Sequence, residues 1–287
     1  MAIGDSTRIN TNIAAFNALN ALKYVNRGLE KSQLKLATGL RINEVSDDPA
    51  GYVISTRLNA RSRGLSVAYD NVGTAKNVLA IAEGGLLNIS DILVTMKEKV
   101  TQAASDTLGS AERNAIKTEL DQLVSEMDNI VDETTFNNMK LLNGNYRNVS
   151  FQTGADTTNV LKIDIVKQGT TTTGFKSADL QVNSANVSSL VFTAAGSSTA
   201  LSKIDDAIEV VSDGLQKIGA YISRLSVKES TLSIAITNTD ATKSRIMDAD
   251  IAKEQLNSTR LQILQQTSTA QLAQANITPQ NVLALFR

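Results

Sequence analysis

Apolar residues recur every seventh position along a long stretch of this chain, and that period leaves few folds open. From Leu58, a step of seven reaches Leu65, Val72, Leu79, Leu86, Leu93 and Val100. A companion position, three residues after Leu65, gives Ala68, Ala75, Ala82, Ile89, Met96 and Ala103. This is the a/d pattern of a helix packed lengthwise on other helices. Asp47, Asp48 and Pro49 supply its start, with acidic capping residues ahead of a proline at the first helical position. The pattern runs out near Gly109. At 1.5 Å per residue such a helix is roughly 80–90 Å long, a length that suits an elongated assembly better than a compact globule.

Other stretches carry the same seam. Ile116, Leu120, Leu123, Met127 and Ile130 alternate steps of four and three. Leu201, Ile204, Ile208, Val211, Leu215, Ile218, Ile222 and Leu225 do so without a miss, and Leu232 and Ile236 resume the pattern after Glu229. Helices sharing one kind of seam predict a left-handed bundle. Gly84-Gly85 falls inside the first long helix, where close packing and a bend are both open readings.

The chain ends read as helix of another texture. Ile9, Ile13, Phe16, Leu19, Leu22, Val25 and Leu29 recur at threes and fours, and Leu256, Ile263, Ala270 and Ile277 step by seven before Pro279. Between them lie Asn, Gln, Thr and Ser rather than Lys and Glu. A solvated helix face ordinarily carries ion pairs, so an amide-rich, uncharged face predicts burial against other copies of the chain. The middle, from Asn143 to about Ala200, is rich in Gly, Thr, Ser and Asn. Its short β-type runs at 149–152, 160–166 and 190–193 predict hairpins, too few for a large sheet.

Composition removes most chemistry. The chain of 287 residues contains no His and no Cys, so imidazole- or thiol-based nucleophile systems, thiolate or imidazole metal sites and disulfides are absent. With 28 basic and 29 acidic residues, no charge excess points to nucleic acid or to an anionic membrane surface. Asp47 and Asp48 read as a helix cap rather than a cation site, and Arg57, Arg61 and Arg63 as a solvated or interface cluster rather than a phosphate site. No enzyme activity, cofactor or metal is expected. Residues 1–12 show no cleavable signal pattern.

Both ends carry a signature. Ile9-Asn10-Thr11-Asn12, then Leu36-Ala37-Thr38-Gly39-Leu40-Arg41-Ile42-Asn43, then Asp47-Asp48-Pro49-Ala50-Gly51 resemble the N-terminal region of bacterial flagellins, whose form of the second element is approximately L-S-S-G-L-R-I-N. Ser244-Arg245-Ile246-Met247-Asp248-Ala249-Asp250 is similar to that family's S-R-I-x-D-x-D, and 262–266, 272–276 and 279–287 continue the likeness. Thr135-Phe136-Asn137 and Lys140-Leu141-Leu142 fit as well. The resemblance covers about 1–145 and 200–287.

That resemblance implies a mainly α fold with a small β part: a long-helix coiled-coil bundle in the D0/D1 flagellin architecture, with β-hairpins in the central segment. Residues 1–46 would be the N-terminal D0 helix and connecting loop, 47–145 the N-terminal half of D1, 146–200 its β-hairpin segment, 201–243 the C-terminal D1 helix and 244–287 the C-terminal D0 helix. The implied function is a structural subunit of the flagellar filament, extracellular and exported from the cytoplasm without a cleaved signal peptide. The alternative within the same machinery is a hook–filament junction protein. Implied partners are other copies of the chain, an export chaperone at the C-terminal segment, and the filament cap and hook-junction proteins, with no nucleic acid and no membrane. Polymerisation would use Ile9, Ile13, Phe16, Leu19, Leu256, Ile263, Ala270, Ile277, Leu285 and Phe286. The D1 seam would be Leu65, Val72, Leu79, Leu86, Leu93, Ile116, Leu123, Ile208, Leu215 and Ile222. Receptor-activating flagellins carry a D1 motif like L-Q-R-V-R-E-L. The aligned stretch here runs from Leu93 through Thr95, Lys97 and Glu98 to Lys99, which implies weak or no recognition by the vertebrate innate receptor.

Overall fold

The computed structural model describes residues 11–166, 173–187 and 194–284, of which 194, 195 and 278–284 by backbone alone. The described elements are α1 (Ile13–Thr38), α2 (Pro49–Ala103), α3 (Ser110–Glu133), β1 (Thr135–Phe136), β2 (Met139–Lys140), β3 (Val149–Gln152), β4 (Val160–Ile163), α4 (Ala194–Met247) and α5 (Ile251–Ala284). The fold is mainly α, with two antiparallel strand pairs. The chain divides into two compact units, one of 1–62 with 238–287 and one of 63–237. These divisions fall within α2 and α4, not at residues 46 and 243.

Helix α2 starts as its sequence predicts. The Asp48 carboxylate accepts the Gly51 N–H at 3.0 Å, and Pro49 follows the cap. It ends at Ala103, ahead of Gly109, which instead precedes α3 as its N-cap residue. The turn between is pinned from below by Arg113, whose 8% exposed side chain donates to the Ser105 carbonyl at 2.9 Å.

The 63–237 unit is built round one aliphatic core. Leu65, Val72, Leu79, Leu86, Leu93 and Val100 of α2 are all buried, and so is every companion from Ala68 to Ala103. On α3 the buried stripe is Ile116, Leu120, Val124, Met127 and Val131, while Leu123 and Ile130 are only partly buried. Adjacent apolar residues at 123–124 and 130–131 leave the period ambiguous by one position, and packing selects the second of each pair. On α4 the deepest positions are Ile204, Ala207, Val211, Gly214, Ile218, Leu225 and Leu232. The expected seam residues Leu201, Ile208, Leu215 and Ile222 flank them, half-buried. Small residues at 207 and 214 are what admit close neighbours. A Cβ on Gly214 would stand 2.9 Å from the Phe175 ring, itself 1% exposed. Gly85 likewise marks close packing, because a Cβ there would meet Thr134 Oγ1 at 2.7 Å and Leu142 at 2.8 Å, whereas Gly84 faces open space. Glu229 interrupts no helix. It lies on α4 and pairs with Lys76 of α2 at 2.7 Å.

The central segment adds the β part. The sequence reading missed β1–β2, whose two-residue turn holds Asn137 and Asn138 at φ 47° and 65°, as a hairpin turn of the mirror-image type requires. Strands β3 and β4 pair from Val149↔Ile163 to Gln152↔Val160, where two of the runs were expected. The third run, 190–193, lies outside the described residues. Residues 173–187 close over the bundle. Phe175 N–H donates to the Leu142 carbonyl at 2.9 Å, and Ser177 donates to the Asp128 carboxylate through both its backbone N–H and its hydroxyl. Asp132 bridges Lys140 and Lys176, and the hydrogen bonds from these two ammonium groups hold its carboxyl below the ordinary range. A Cβ on Gly174 would lie 2.5 Å from the Leu142 carbonyl oxygen and 2.6 Å from the Gly144 nitrogen. Since backbone must move to admit it, Gly174→Ala is expected to lower the unfolding free energy by about 1–3 kcal/mol, measured by urea denaturation. An unchanged midpoint would mean that this segment does not seat as described.

Candidate assembly surface

The signature residues of the two chain ends meet one another. Gly39 stops α1 in the left-handed conformation (φ 71°), its N–H donating to the Lys35 carbonyl at 2.9 Å, a helix ending that favours glycine. The chain then runs antiparallel to residues 246–249. Leu40 and Asp248 form a bridge, Arg41 N–H donates to the Met247 carbonyl at 2.6 Å, and Ala249 N–H to the Gly39 carbonyl at 2.9 Å. The Arg41 guanidinium adds a bond to the Ile246 carbonyl at 2.8 Å, and Asn43 folds its amide back onto the Leu40 carbonyl at 3.1 Å. Ile42 is buried at 2% exposure. Asp47 ties the loop to α1. Its carboxylate pairs with Lys31 at 3.0 Å and accepts the Asn43 and Glu44 N–H groups at 3.3 Å. The hydrogen bond from Lys31 holds the Asp47 carboxyl below its usual range against the opposing effect of burial, and the same bond raises the Lys31 ammonium. Asp250 then caps α5 by accepting the Lys253 N–H at 3.1 Å. The recurring letters of both motifs therefore serve one backbone joint. The sequence contained them, but only the pairing shows what each does.

Beyond the joint, α1 packs along α5. The face α1 turns inward includes Val25, Leu29 and Ser32, all buried. The inward face of α5 is Glu254, Asn257, Ser258, Leu261, Gln265, Ser268, Leu272 and Ala275, of which only Ser258 is fully buried. Polar groups therefore bridge the pair. Asn12 donates its amide to the Ala275 carbonyl at 2.8 Å, Gln265 to the Asn26 side chain at 2.9 Å, and the Ser32 hydroxyl to the Glu254 carbonyl at 3.4 Å. Burial acts to raise the Glu254 carboxyl, but hydrogen bonds from Ser32 and Asn257 and the nearby Lys35 and Lys253 outweigh it and hold the carboxyl low.

The large apolar residues point the other way. Ile13 is 52% exposed, Phe16 63%, Leu256 74%, Ile263 59% and Ile277 43%. Ala270 is exposed and Leu19 half-buried. The seven-residue series on α5 is thus not the seam of the α1–α5 pair but its outer face. Ile9, Leu285 and Phe286 lie outside the described residues. Beside these side chains a groove of about 630 Å³ runs along the pair, lined by Tyr24, Gly28, Lys31, Leu261 and Leu264.

The receptor-region stretch lies on α2. Leu93 is fully buried, so it can only shape that surface from beneath. Lys97 is engaged with Asp205 at 2.6 Å and Lys99 with Glu119 at 2.7 Å, while the Thr95 hydroxyl bonds back to the Asp91 carbonyl at 3.0 Å. Arg57, Arg61 and Arg63 are exposed on α2. Among the described residues no group of three or more Asp or Glu side chains is arranged to hold a metal ion. One stretch of α2 is long and apolar enough to cross a membrane by composition, but its seam residues are those buried in the bundle.

Residues 9–147 match the family model described as the bacterial flagellin N-terminal helical region, and residues 201–286 match the C-terminal helical region. The flagellin of Bacillus subtilis (strain 168) is 38% identical over 98% of this chain and 100% of its own length. That of Halalkalibacterium halodurans is 36% identical over 97% and 99%. Among solved structures, a provisionally assigned flagellar hook-associated protein from Vibrio parahaemolyticus superposes with a TM-score of 0.59 at 16% identity, covering 70% of this chain and 100% of its own. At that identity the likeness is one of fold alone.

Proposed function

This chain belongs to the bacterial flagellin family and is a structural subunit of the flagellar filament, and we propose that it polymerises through the outward faces of α1 and α5. It is not an enzyme, and as a component of the flagellum it acts outside the cell. The observation that carries the proposal is the set of large apolar side chains left uncovered on Ile13, Phe16, Leu256, Ile263 and Ile277. Exposed apolar stripes flanked by amides and hydroxyls suit helices that meet further copies, where both kinds of group find partners. In family terms, α1 and α5 with their joint form D0, and the 63–237 unit lies in D1. The D1 seam is Leu65, Val72, Leu79, Leu86, Leu93 and Ile116, flanked by Leu123, Ile208, Leu215 and Ile222. The hook–filament junction alternative gains no support, since the full-length similarity is to flagellins. Export without a cleaved signal, a chaperone holding the C-terminal segment, and contacts with cap and junction proteins complete the reading. A route that threads the unfolded chain suits a sequence free of disulfides.

In the free monomer, α1 and α5 are expected to be unfolded, and to order as the chain joins the filament. Ordering costs about 1.5 kcal/mol per residue, and a helix pair that buries only four side chains fully offsets little of it. Hydrogen exchange on monomer and filament tests this. Residues 13–38 and 251–277 should exchange freely in monomer and be protected in filament, with 65–103 and 201–225 protected in both. Strong protection of the terminal helices in the monomer would rule the mechanism out.

Recognition by the vertebrate innate flagellin receptor is expected to be weak or absent. The central arginine of the activating motif, a multi-donor anchor, is Thr95 here, and Lys97 is committed to Asp205. A reporter-cell assay decides the point, and potency equal to that of an activating flagellin would overturn it.

A further inference from the structure

Within the 63–237 unit, two surfaces at opposite ends carry opposite charge. The first is a groove of about 490 Å³ between the β3–β4 hairpin and α4. Val160 and Val227 line it at 41% and 66% exposure, with Arg224 and Lys228 beside them. Both cations are exposed, and neither makes an ion pair among the described residues. The groove lies near the start of α2 in this unit: a Cβ on Gly64 would touch Ala155 at 3.2 Å, and the Asn71 amide donates to the Gln152 carbonyl at 3.3 Å. The second surface is the turn between α2 and α3, at the far end of α2. Asp106 projects from it with a side chain 90% exposed, only loosely near Arg113 at 3.8 Å. The turn is rigid beneath that carboxylate. Arg113 holds the Ser105 carbonyl, and the Ser105 and Thr107 hydroxyls bond at 2.7 Å.

Some thirty residues of α2 separate the two surfaces, roughly 50 Å, so one chain cannot bring its own turn to its own groove. We propose that Asp106 of one copy docks into the groove of the next, its carboxylate between Arg224 and Lys228 and the turn against Val160 and Val227. The occupant is a second copy, because the chain itself presents the complementary charge on a preformed turn. The contact is heterologous, one end of a subunit meeting the other end of its neighbour, so it repeats without closing into a dimer. It rests on the polymerisation reading above, and adds to it a second contact that does not use α1 or α5.

The test is seeded elongation with the full chain. Asp106→Lys alone, and Arg224→Glu with Lys228→Glu, should each slow elongation on the order of tenfold or more, as opposed charges at an interface become like charges. A chain carrying all three changes should recover, because every junction is then complementary again. A mixture of the two reversed chains should not recover, because only half its possible junctions are repaired. Circular dichroism of each monomer confirms folding, and Asp106→Asn, which leaves the turn's own bonds in place, should give an intermediate rate. Asp106→Cys with Val227→Cys supplies a direct readout, since the chain has no cysteine of its own. Oxidised filaments should give a ladder of covalent multimers, and monomers no internal cross-link. Wild-type rates in the singly reversed chains, failure of the triple variant to recover, or filaments without a ladder would overturn the contact while leaving polymerisation through α1 and α5 standing. Wild-type chain that never extends a seed would overturn both.

Discussion

A chain ending at Gln255 keeps its 63–237 unit folded and adds no length to a filament seed. The two halves of that expectation have separate causes. The aliphatic core from Leu65 to Leu232 lies wholly within 63–237, so its melting should be little changed. Removing α5, however, strips α1 of the helix it packs along and uncovers Val25 and Leu29, which are 8% exposed with α5 in place. It also removes the outward stripe Leu256, Ile263, Ala270 and Ile277. Polymer growth should therefore be abolished rather than slowed, because both the surface and the element that orders α1 are gone. Light scattering of seeded mixtures and electron micrographs give the result, with the thermal unfolding of the truncated chain as the control. Normal filaments from the truncated chain would show that α5 is dispensable.

Replacing Leu79 with Ala should cost about 2–5 kcal/mol. Its side chain is fully buried, and its neighbours one heptad away on the same seam, Val72 and Leu86, are fully buried too. A cavity there cannot fill from solvent and can shrink only by moving packed helices. Leu215→Ala is the internal comparison. That residue is only partly buried, and part of its surface already faces water, so the loss should be clearly smaller. Guanidinium denaturation followed by circular dichroism measures both. A loss below about 0.5 kcal/mol at Leu79 would refute the packing register, because no fully buried leucine in a rigid core is that cheap to truncate.

The parts of this molecule that were legible in sequence are those in which one residue type fills one helical position many times over. On α2 the seam from Leu65 to Val100 admits a single register, since shifting it would bury Arg, Asp or Lys. On α3, paired apolar residues such as Leu123 and Val124 made two registers equally apolar, and only the packing discriminates. On α4 the deepest positions include Ala207 and Gly214, which carry almost no hydrophobic signal of their own. They are deep because Phe175, far off in sequence, needs the room. The β1–β2 hairpin went unread because its strands are two residues long. Its one cue was the Asn137-Asn138 pair, a turn signal that gains meaning only when both φ values are positive. For the assembly surface the sequence indicated which residues are apolar on α1 and α5, but not which face they occupy. The α5 series looked like a seam, yet Ser258 and Gln265 face α1 and Leu256 and Ile263 face away.

The joint at Gly39–Arg41 and Ile246–Ala249 stitches together residues about 200 positions apart, with backbone hydrogen bonds in both directions. Translation delivers those halves in strict succession. A nascent chain holds a complete α1 long before its counterpart exists, and no local contact can substitute for the missing strand of the joint. Contacts of such sequence separation form late, after the intervening loop has been closed. The arrangement therefore acts as a proofreading step on chain length. A prematurely terminated chain can fold its central bundle but can never complete the joint, and so cannot present the terminal helices in register. Defective products are excluded from the polymer by topology alone, without a factor that inspects them.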